Sequence, residues 1–346
     1  MDFFRRILRS NFLIKLRSWE YWPFGIIQAP LFLYFPWLSL KAGSLFFFSA
    51  SNPGIVMGGM FGESKFDVLG LVPEGIKPKT IRIKFPATPE DVLAEIRSND
   101  LLFPLIFKPD LGERGWMVKR IKNKNDIADY LKQIKIDFLI QDFVNLPLEF
   151  GVFYIRHPNQ PQGRVTSIVL KEMLTITGNG KKTVAELILE NDRAKLQWET
   201  LKITYAPVLN KVLASDEGLE LVSIGNHCLG TKFLNGNHLI TDKLSASFDA
   251  ISKQIPGFYF GRFDLRAATF EDLENGVVQV VELNGCGAEP AHIYDPKFSL
   301  ARAMVVLFRH WRDIYEISIE NHRRGVSYIS FQEGKNIFKK FRALTS

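Results

Sequence analysis

The stretch GRFDLRAATFEDLENGVVQVVELN, residues 261–284, decides how this chain folds. Both of its ends are typical of strands, because apolar residues alternate or run together on either side of a turn at Glu274–Gly276. Side chains at positions i and i+2 of a strand lie on the same face. Polar side chains therefore share one face of each strand: Arg262, Asp264 and Arg266 on the first, and Glu282 and Asn284 on the second.

The two strands predict a metal site if they pair through the turn. Three oxygen-bearing side chains would then converge, namely Asp264, Glu282 and Asn284. Hard oxygen ligands of this kind hold Mg²⁺ beside nucleotide phosphates. The neighbouring Arg262 suits an anionic group or a developing negative charge. The alternative interpretation is a charged hairpin face in solvent, since carboxylates are common on hairpins.

Composition sets the class of protein. The chain has 346 residues, room for about two domains, and its 46% hydrophobic content is that of a globular protein rather than a disordered one. A net charge of +7 permits binding to nucleotides, anionic lipid or nucleic acid. No nucleic-acid partner is predicted, because nothing beyond net charge resembles such a module. The two cysteines, Cys228 and Cys286, imply no disulfide framework and favour a cytoplasmic location.

The N-terminal segment predicts a contact with a membrane. Residues 1–17 carry five basic residues among apolar ones at helical spacing, a pattern that lies on membrane surfaces. The charge-free run Trp22–Leu40 is 19 residues long, which just spans a bilayer. Its three prolines and Gln28 argue against a spanning helix. We therefore expect peripheral binding at the inner face of an anionic membrane; the alternative is an apolar arm that is buried or faces a partner.

A glycine loop follows a lysine in the stretch LIFKPDLGERGWMV, residues 105–118. An apolar strand ends in Lys108, and Gly112 and Gly115 lie in a loop before a second apolar strand, Trp116–Val118. Glycines let a backbone approach phosphates closely and the lysine supplies positive charge, so the stretch predicts a lid over a nucleotide. It is not a Walker motif, because the lysine precedes the glycines.

Two shorter segments precede this lid. SLFFFSASNPG, residues 44–54, predicts a buried strand that ends in a tight loop. GGMFGESK, residues 58–65, ends in Lys65 at the start of a short helical stretch. Backbone N–H groups in such a loop can hold an anion, and the alternative is an ordinary connection to a helix.

The order of these residues resembles the ATP-grasp superfamily over roughly residues 60–310. TGNGKKTVAELI, residues 177–188, is similar to a segment of cyanophycin synthetase and glutathione synthetase members. GRFDLR and VELNGCGAEPAH resemble the matching parts of those proteins and of D-alanine:D-alanine ligase. The resemblance implies an α+β (or α/β) ATP-grasp fold, in which two α+β subdomains clasp ATP, behind a short aromatic N-terminal region. The expected segments are an arm (1–43), a reduced α/β region (44–103), the ATP-grasp domain (104–325) and a basic tail (326–346).

The resemblance also implies a nucleotide site. Lys65, Lys108 and Lys171 would contact the phosphates of ATP, and Glu149 would accept hydrogen bonds from the ribose hydroxyls. The backbone of a hinge would contact the adenine edge, and this hinge is formed by Gln141, Asp142, Phe143 and Val144. Many members have a glutamate where this chain has Gln141.

The same resemblance implies a reaction centre. Asp264, Glu282 and Asn284 would hold one or two Mg²⁺ ions, with Mn²⁺ as a substitute, and Glu282 would bridge them. Arg262 would stabilise the acyl phosphate and the tetrahedral species that follows it, and Lys171, which would contact the phosphates, is the other candidate catalytic residue. Arg266 and His292 are candidate substrate contacts, although a lone histidine is more often structural.

These roles predict a ligase that joins a small-molecule or peptide carboxylate to an amine through an acyl phosphate, with release of ADP and phosphate. Two alternatives stay open. One is an ATP-grasp kinase that phosphorylates a hydroxyl, and the other is a nucleotide-binding protein without catalytic activity that docks on a membrane. The region before Lys65 is short and aromatic, so the resemblance implies no particular substrate, and the sequence does not predict an oligomeric state.

Overall fold

The computed structural model describes residues 10–112, 115–222, 225 and 227–345. Within these ranges the strands form a four-stranded, a five-stranded and a two-stranded sheet. The strands are β1 (Thr80–Ile83), β2 (Leu105–Pro109), β3 (Lys119–Ile121), β4 (Phe138–Asp142), β5 (Leu148–Ile155), β6 (Arg164–Glu172), β7 (Thr175–Thr177), β8 (Gly218–Glu220), β9 (Lys232–Asn235), β10 (Phe260–Ala267) and β11 (Gln279–Asn284).

Helices cover the outer faces of the sheets and form the N-terminal arm. In chain order they are α1 (Asn11–Arg17), α2 (Phe24–Ile27), α3 (Leu31–Ala42), α4 (Lys65–Gly70), α5 (Pro89–Ser98), α6 (Lys124–Leu131), α7 (Val184–Glu190), α8 (Asp192–Lys195), α9 (Trp198–Thr204), α10 (Asp242–Lys253), α11 (Phe270–Glu274), α12 (Leu300–Arg323) and α13 (Phe331–Thr345). The predicted fold class, α+β with two main lobes, is confirmed by this arrangement.

The first lobe is the antiparallel sheet β1-β4-β2-β3 with α5 and α6 packed on one side. Both helices begin at a capping box, with Thr88 and Asn123 as the N-caps. The predicted strand Trp116–Val118 is wrong, because β3 begins only at Lys119. Gly115 and Met117 have positive φ angles of 69° and 54°, which turn the chain and exclude it from a ladder there.

The second lobe is the antiparallel sheet β11-β10-β5-β6-β9. Strands β10 and β11 pair with Arg262 opposite Asn284 and Asp264 opposite Glu282, so the strand pair predicted from residues 261–284 is confirmed. Their connection contains the short helix α11 before the turn at Gly276. The sheet's apolar face packs on α10, which places the polar face toward the first lobe's strand β2 and helix α4.

A smaller unit surrounds β7 and β8. It packs α7, α8 and α9 around a separate core that includes Ile176, Val184 and Leu201. Thr183 caps α7 in a capping box with Glu186, as the TVAE pattern in residues 183–186 predicts.

The N-terminal arm is helical and packs on α12. The predicted strand in residues 44–54 is wrong: Phe47–Ala50 form a 3₁₀ helix in which all four residues are buried. A short apolar run has this ambiguity, because burial on every side occurs in helical turns as well as in central strands. Among the described residues, no helix has the length and apolar character that crossing a bilayer requires.

Candidate active site

Two paired strands bring the predicted metal ligands together. Asp264 lies directly across the ladder from Glu282. Asn284 donates a hydrogen bond from Nδ2 to Oδ2 of Asp264 at 3.0 Å. Arg262 donates to both carboxylate oxygens of Asp264, at 3.2 Å from Nε and 3.0 Å from Nη2. The three oxygen-bearing residues therefore form one continuous cluster with the arginine beside it.

Three lysines reach this cluster from different elements. Lys65, the first residue of α4, places Nζ 2.5 Å from Oε1 of Glu282. Lys171, on β6, lies 3.1 Å from Oδ1 of Asp264 and 3.2 Å from Oε1 of Glu149. Lys108, at the end of β2, donates to the backbone carbonyl oxygen of Val281 at 2.9 Å. All the lysines that the resemblance assigned to the phosphates of ATP thus surround one edge of the β10–β11 pair.

The carboxylates of the cluster are ionised. Burial by itself would raise their pKa values, but the nearby cations outweigh this effect. Lys65 and Lys108 lower the pKa of Glu282 to about 2. Arg262 and Lys171 lower the pKa of Asp264 below its ordinary value. Two ionised carboxylates beside an amide are a donor set that fits Mg²⁺, so the residues present match the metal that the resemblance implies.

Lys108 and Lys171 are both buried but differ in their partners. Lys108 donates to the neutral Oε1 of Gln141 at 3.0 Å, and burial lowers its pKa to about 8. Burial would also lower the pKa of Lys171, but Asp264 and Glu149 raise it above its ordinary value. Lys108 therefore has a neutral side-chain partner where Lys171 has two carboxylates.

Arg266 on β10 holds the hinge, residues 141–144, in place. Arg266 donates to Oε2 of Glu149 at 2.7 Å and to the backbone carbonyl oxygens of Val144 and Leu146 at 3.3 and 3.2 Å. The side chain of Phe143 lies between Arg266 and Arg120, with the Arg120 guanidinium 3.9 Å from the ring centre. These contacts make Arg266 a positioning residue for the hinge, and they lend no support to its predicted contact with substrate.

The remaining predicted residues lie as follows. Asp142 ends β4 beside Phe143, and burial raises the pKa of Asp142. Gly112 and Gly115 both have positive φ angles, 138° and 69°, while residues 113–114 between them lie outside the described residues. His292 is buried, and its Nδ1 lies 2.6 Å from Oγ of Ser167. Burial lowers the pKa of His292 to about 4, which is typical of the structural alternative and adds nothing to a substrate role.

Two glycine loops cross directly after the end of β11. Cys286 and Gly287 donate backbone hydrogen bonds to the carbonyl oxygens of Gly58 and Gly59, at 3.0 and 2.9 Å. A Cβ atom on Gly59 would lie 2.6 Å from Cα of Gly285, too close for any side chain. Gly58 and Gly59 thus serve the close packing of two backbones, and their carbonyl oxygens accept from the residues that follow β11.

Asp110 is a functional residue that the sequence did not reveal. Its Oδ1 accepts from Oγ of Ser64 at 2.8 Å and from the backbone N–H of Phe66 at 3.0 Å, and its backbone oxygen accepts from the N–H of Lys65 at 3.0 Å. Asp110 thereby fixes the first turn of α4 and with it the lysine on Glu282. The only signal for this role was its place two residues after Lys108.

The N-terminal arm contacts a residue beside the candidate site, which the sequence also did not reveal. Gln28, buried at the end of α2, donates to Oε1 of Glu289. Tyr294 donates to the other carboxylate oxygen of Glu289 at 2.5 Å, and Arg262 donates from Nη1 to its backbone oxygen at 3.1 Å. The arm is therefore connected to the arginine of the reaction centre through a single residue.

No protein-family model matches the chain, and no curated protein matches it. Among solved structures it is similar to D-alanine–D-alanine ligase from Bacillus anthracis, with 15% identity and a TM-score of 0.43 over 79% of this chain and 72% of that one. VanG D-Ala:D-Ser ligase from Enterococcus faecalis matches with 14% identity and a TM-score of 0.41, over 74% of this chain and 62% of that one. For a bifunctional glutathione synthetase from Pasteurella multocida the identity is 15% and the TM-score 0.36, over 71% of this chain.

The chain spans only 36% of the length of that glutathione synthetase. Two of the three enzymes that the sequence resembles, D-alanine:D-alanine ligase and glutathione synthetase, thus also occur among the structures it is similar to. The chain has the two-lobed α+β architecture that the resemblance to the ATP-grasp superfamily implies. Identities of 15% or less and TM-scores below 0.5 say nothing about the reaction, which depends on the residues of this chain.

Proposed function

We propose that this chain is an ATP- and Mg²⁺-dependent ligase that joins a carboxylate to an amine through an acyl phosphate. The observation that carries the proposal is the cluster on β10 and β11. Asp264, Glu282 and Asn284 lie together there, and Lys65, Lys171 and Arg262 make ion pairs with the two carboxylates. Phosphoryl transfer depends mostly on positioning and charge neutralisation, and this set of side chains supplies both.

The lysines now bonded to carboxylates would turn to the phosphates of ATP when the nucleotide enters. Lys65, Lys108 and Lys171 would hold the phosphate chain, and the hinge backbone at residues 141–144 would hold the adenine. Mn²⁺ would be able to replace Mg²⁺. The metal, held by Asp264, Glu282 and Asn284, would neutralise phosphate charge. Glu149 would have to release at least one of its cations, Lys171 or Arg266, to accept ribose hydroxyls.

Arg262 would stabilise the charge that develops during acyl transfer. The γ-phosphoryl group passes from ATP to the substrate carboxylate, which releases ADP and forms an acyl phosphate. The amine nitrogen then attacks the carbonyl carbon, phosphate leaves, and the amine loses a proton. Arg262 is partly buried, pairs with Asp264 and donates to the backbone oxygen of Glu289, and this position beside the carboxylates supports the role.

The test is a trapping assay with purified protein, ATP, Mg²⁺, hydroxylamine and pooled carboxylates, including amino acids and small peptides. Hydroxamate together with free phosphate supports the ligase. A phosphorylated product without free phosphate would instead support a kinase that acts on a hydroxyl. Nucleotide binding with neither product would support the non-catalytic alternative. The Glu282→Gln protein serves as the control for contaminating ATPases.

The cellular location of the protein and the division of its chain into segments are also proposals. We propose a cytoplasmic enzyme with small-molecule or peptide substrates, bound peripherally at the inner face of a membrane. The segments 1–43, 44–103, 104–325 and 326–346 remain our proposed division of the chain. The charge and the exposed apolar residues of the arm support the membrane location, and cell fractionation would test it.

A further inference from the structure

The N-terminal arm exposes more apolar surface than it buries. Helix α3, with the sequence LFLYFPWLSLKA, is apolar almost all round, yet only Leu31 and Leu38 are buried. Leu33 and Leu40 are 80% and 82% exposed. A soluble helix ordinarily keeps such residues on one buried face. Within residues 12–45 the large exposed apolar side chains are Phe12, Leu16, Phe24, Ile26, Phe32, Leu33, Trp37, Leu40 and Leu45.

The charges around this apolar surface are positive. Residues 10–46 comprise the described part of the arm and the three residues after it, and their basic residues Lys15, Arg17 and Lys41 are exposed. Glu20 is the one acidic residue of that range, and it is buried between Arg193 and His227, which lie 2.8 Å from its two oxygens. Residues 10–46 therefore expose three basic side chains and no acidic one.

The C-terminal helix α13 extends the same surface. It touches the arm where the ring of Phe331 lies 6.2 Å from that of Phe46. Phe331 and Phe338 of this helix are exposed. The exposed basic residues of α13 are Lys335, Lys339, Lys340 and Arg342, and its one acidic residue, Glu333, accepts from Ser330.

We propose that the arm and α13 together bind the surface of an anionic bilayer. A second copy of this chain would bring two positive surfaces together, whereas anionic lipid attracts each lysine or arginine near it by about 1 kcal/mol. Aromatic and aliphatic side chains flanked by lysines are typical of helices that lie in the interface. Trp37 stacks on Tyr34 and has Nζ of Lys41 4.5 Å from its ring centre, a pairing suited to the headgroup region.

Point variants test this surface better than removal of the arm. Trp19 donates to the backbone oxygen of Phe298 at 2.7 Å, and Gln28 contacts Glu289, so a deletion would also disturb the site. The test variant is Leu33→Ser with Leu40→Ser. The matched control is Leu102→Ser with Ile203→Ser, because these residues are 79% and 73% exposed and belong neither to the arm nor to α13.

The experiment is co-sedimentation of the full chain with phosphatidylcholine vesicles, with or without phosphatidylglycerol. We expect binding only to the anionic vesicles, weakened about tenfold by the test pair and unchanged by the control pair. Lys41→Glu with Lys339→Glu should remove the preference for phosphatidylglycerol and the sensitivity to salt.

Three results would overturn the proposal. The first is that the unaltered chain does not bind the anionic vesicles. The second is that the test pair and the control pair bind these vesicles equally well. The third is that light scattering detects a dimer of the unaltered chain without lipid, and that the test pair is a monomer. The last result would assign the surface to a second copy instead. Circular dichroism and nucleotide binding, measured on every variant, show that the fold survives, so a failed membrane test leaves the proposed ligase activity untouched.

Discussion

The two lobes each contribute a buried lysine to the charged cluster at β10 and β11, and the partners of these two lysines differ in charge. Lys171 of the five-stranded sheet lies between two carboxylates, which raise its pKa. Lys108 of the four-stranded sheet has only Gln141 and a backbone oxygen within hydrogen-bond distance, and its pKa falls to about 8. The difference indicates that the second lobe holds a network of paired charges, whereas the first lobe holds a cation whose hydrogen-bond partners are neutral.

The largest effect is expected at the carboxylate that both lobes share. Glu282 pairs with Lys65, and its charge also supports Lys108. Glu282→Gln should lower the rate of hydroxamate formation by on the order of 10³-fold, because an anionic metal ligand is lost. The fold should survive, as circular dichroism would show. Normal turnover in this variant would remove the metal assignment.

The second prediction compares the two lysines directly. Lys171→Met leaves Asp264 and Glu149 with only their arginines, so it should lower the free energy of unfolding by about 3 kcal/mol. Lys108→Met removes a charge that burial disfavours and should change stability by less than about 1 kcal/mol. Urea unfolding of both variants measures the contrast. Equal losses of stability would contradict the difference between the lobes.

The third prediction concerns pH. Since the pKa of Lys108 is about 8, its positive charge is lost as the pH rises through that value, and kcat/KM should fall there. The free energy of unfolding should change in the opposite direction and increase between pH 8 and about 10.5. In this range the unfolded chain still holds the proton of Lys108 and the folded chain has lost it, so a rise in pH favours the folded chain.

Gln141→Glu would give Lys108 a carboxylate partner and should move the alkaline limb of the rate profile upward by roughly one pH unit. Gln141→Leu is the matched control, since it removes the hydrogen bond without adding a charge. An alkaline limb that stays in place in both variants would show that another group controls it.

The smallest effect is expected at the hinge. Arg266→Lys keeps the charge near Glu149 but loses the donors to the carbonyl oxygens of Val144 and Leu146. We expect the KM for ATP to rise about fivefold while kcat changes little, because the residue positions the hinge and does not touch the reacting atoms. Steady-state kinetics with ATP as the varied substrate measures this. A large loss of kcat would return Arg266 to the substrate side.

The sequence predicted the elements whose signal is periodic and local. Alternation in residues 261–284 predicted β10 and β11, and the type of each side chain singled out the polar residues that the pairing brings together. The sequence did not predict the contacts made across long separations, such as Asp110 to α4 or Gln28 to Glu289, because no pattern within one element encodes a tertiary hydrogen bond.

The wrong predictions have local causes as well. Residues 44–54 were predicted as a strand from apolar character alone, which a buried 3₁₀ turn shares. The predicted substrate contact of Arg266 is a different case and stays a prediction. It rested on the strand face that Arg266 shares with Arg262, whereas the contacts seen in the structure are to the hinge and Glu149. Strand β10 is eight residues long, and Arg262 and Arg266 lie in opposite halves of it, so they meet different neighbours. The twist and the neighbouring hinge decide its partner, and neither is visible in the strand's own sequence.

The crossing of Gly59 and Gly285 has a consequence for how the protein tolerates change. Backbone atoms meet there with no room for one methyl group, and the crossing carries no charge and contacts no reacting atom. An alanine at residue 285 would displace the loop directly after Asn284, and with it the predicted ligands Asn284 and Glu282. A deep mutational scan should therefore find intolerant positions outside the charged residues too, at Gly59 and Gly285, where the two backbones cross.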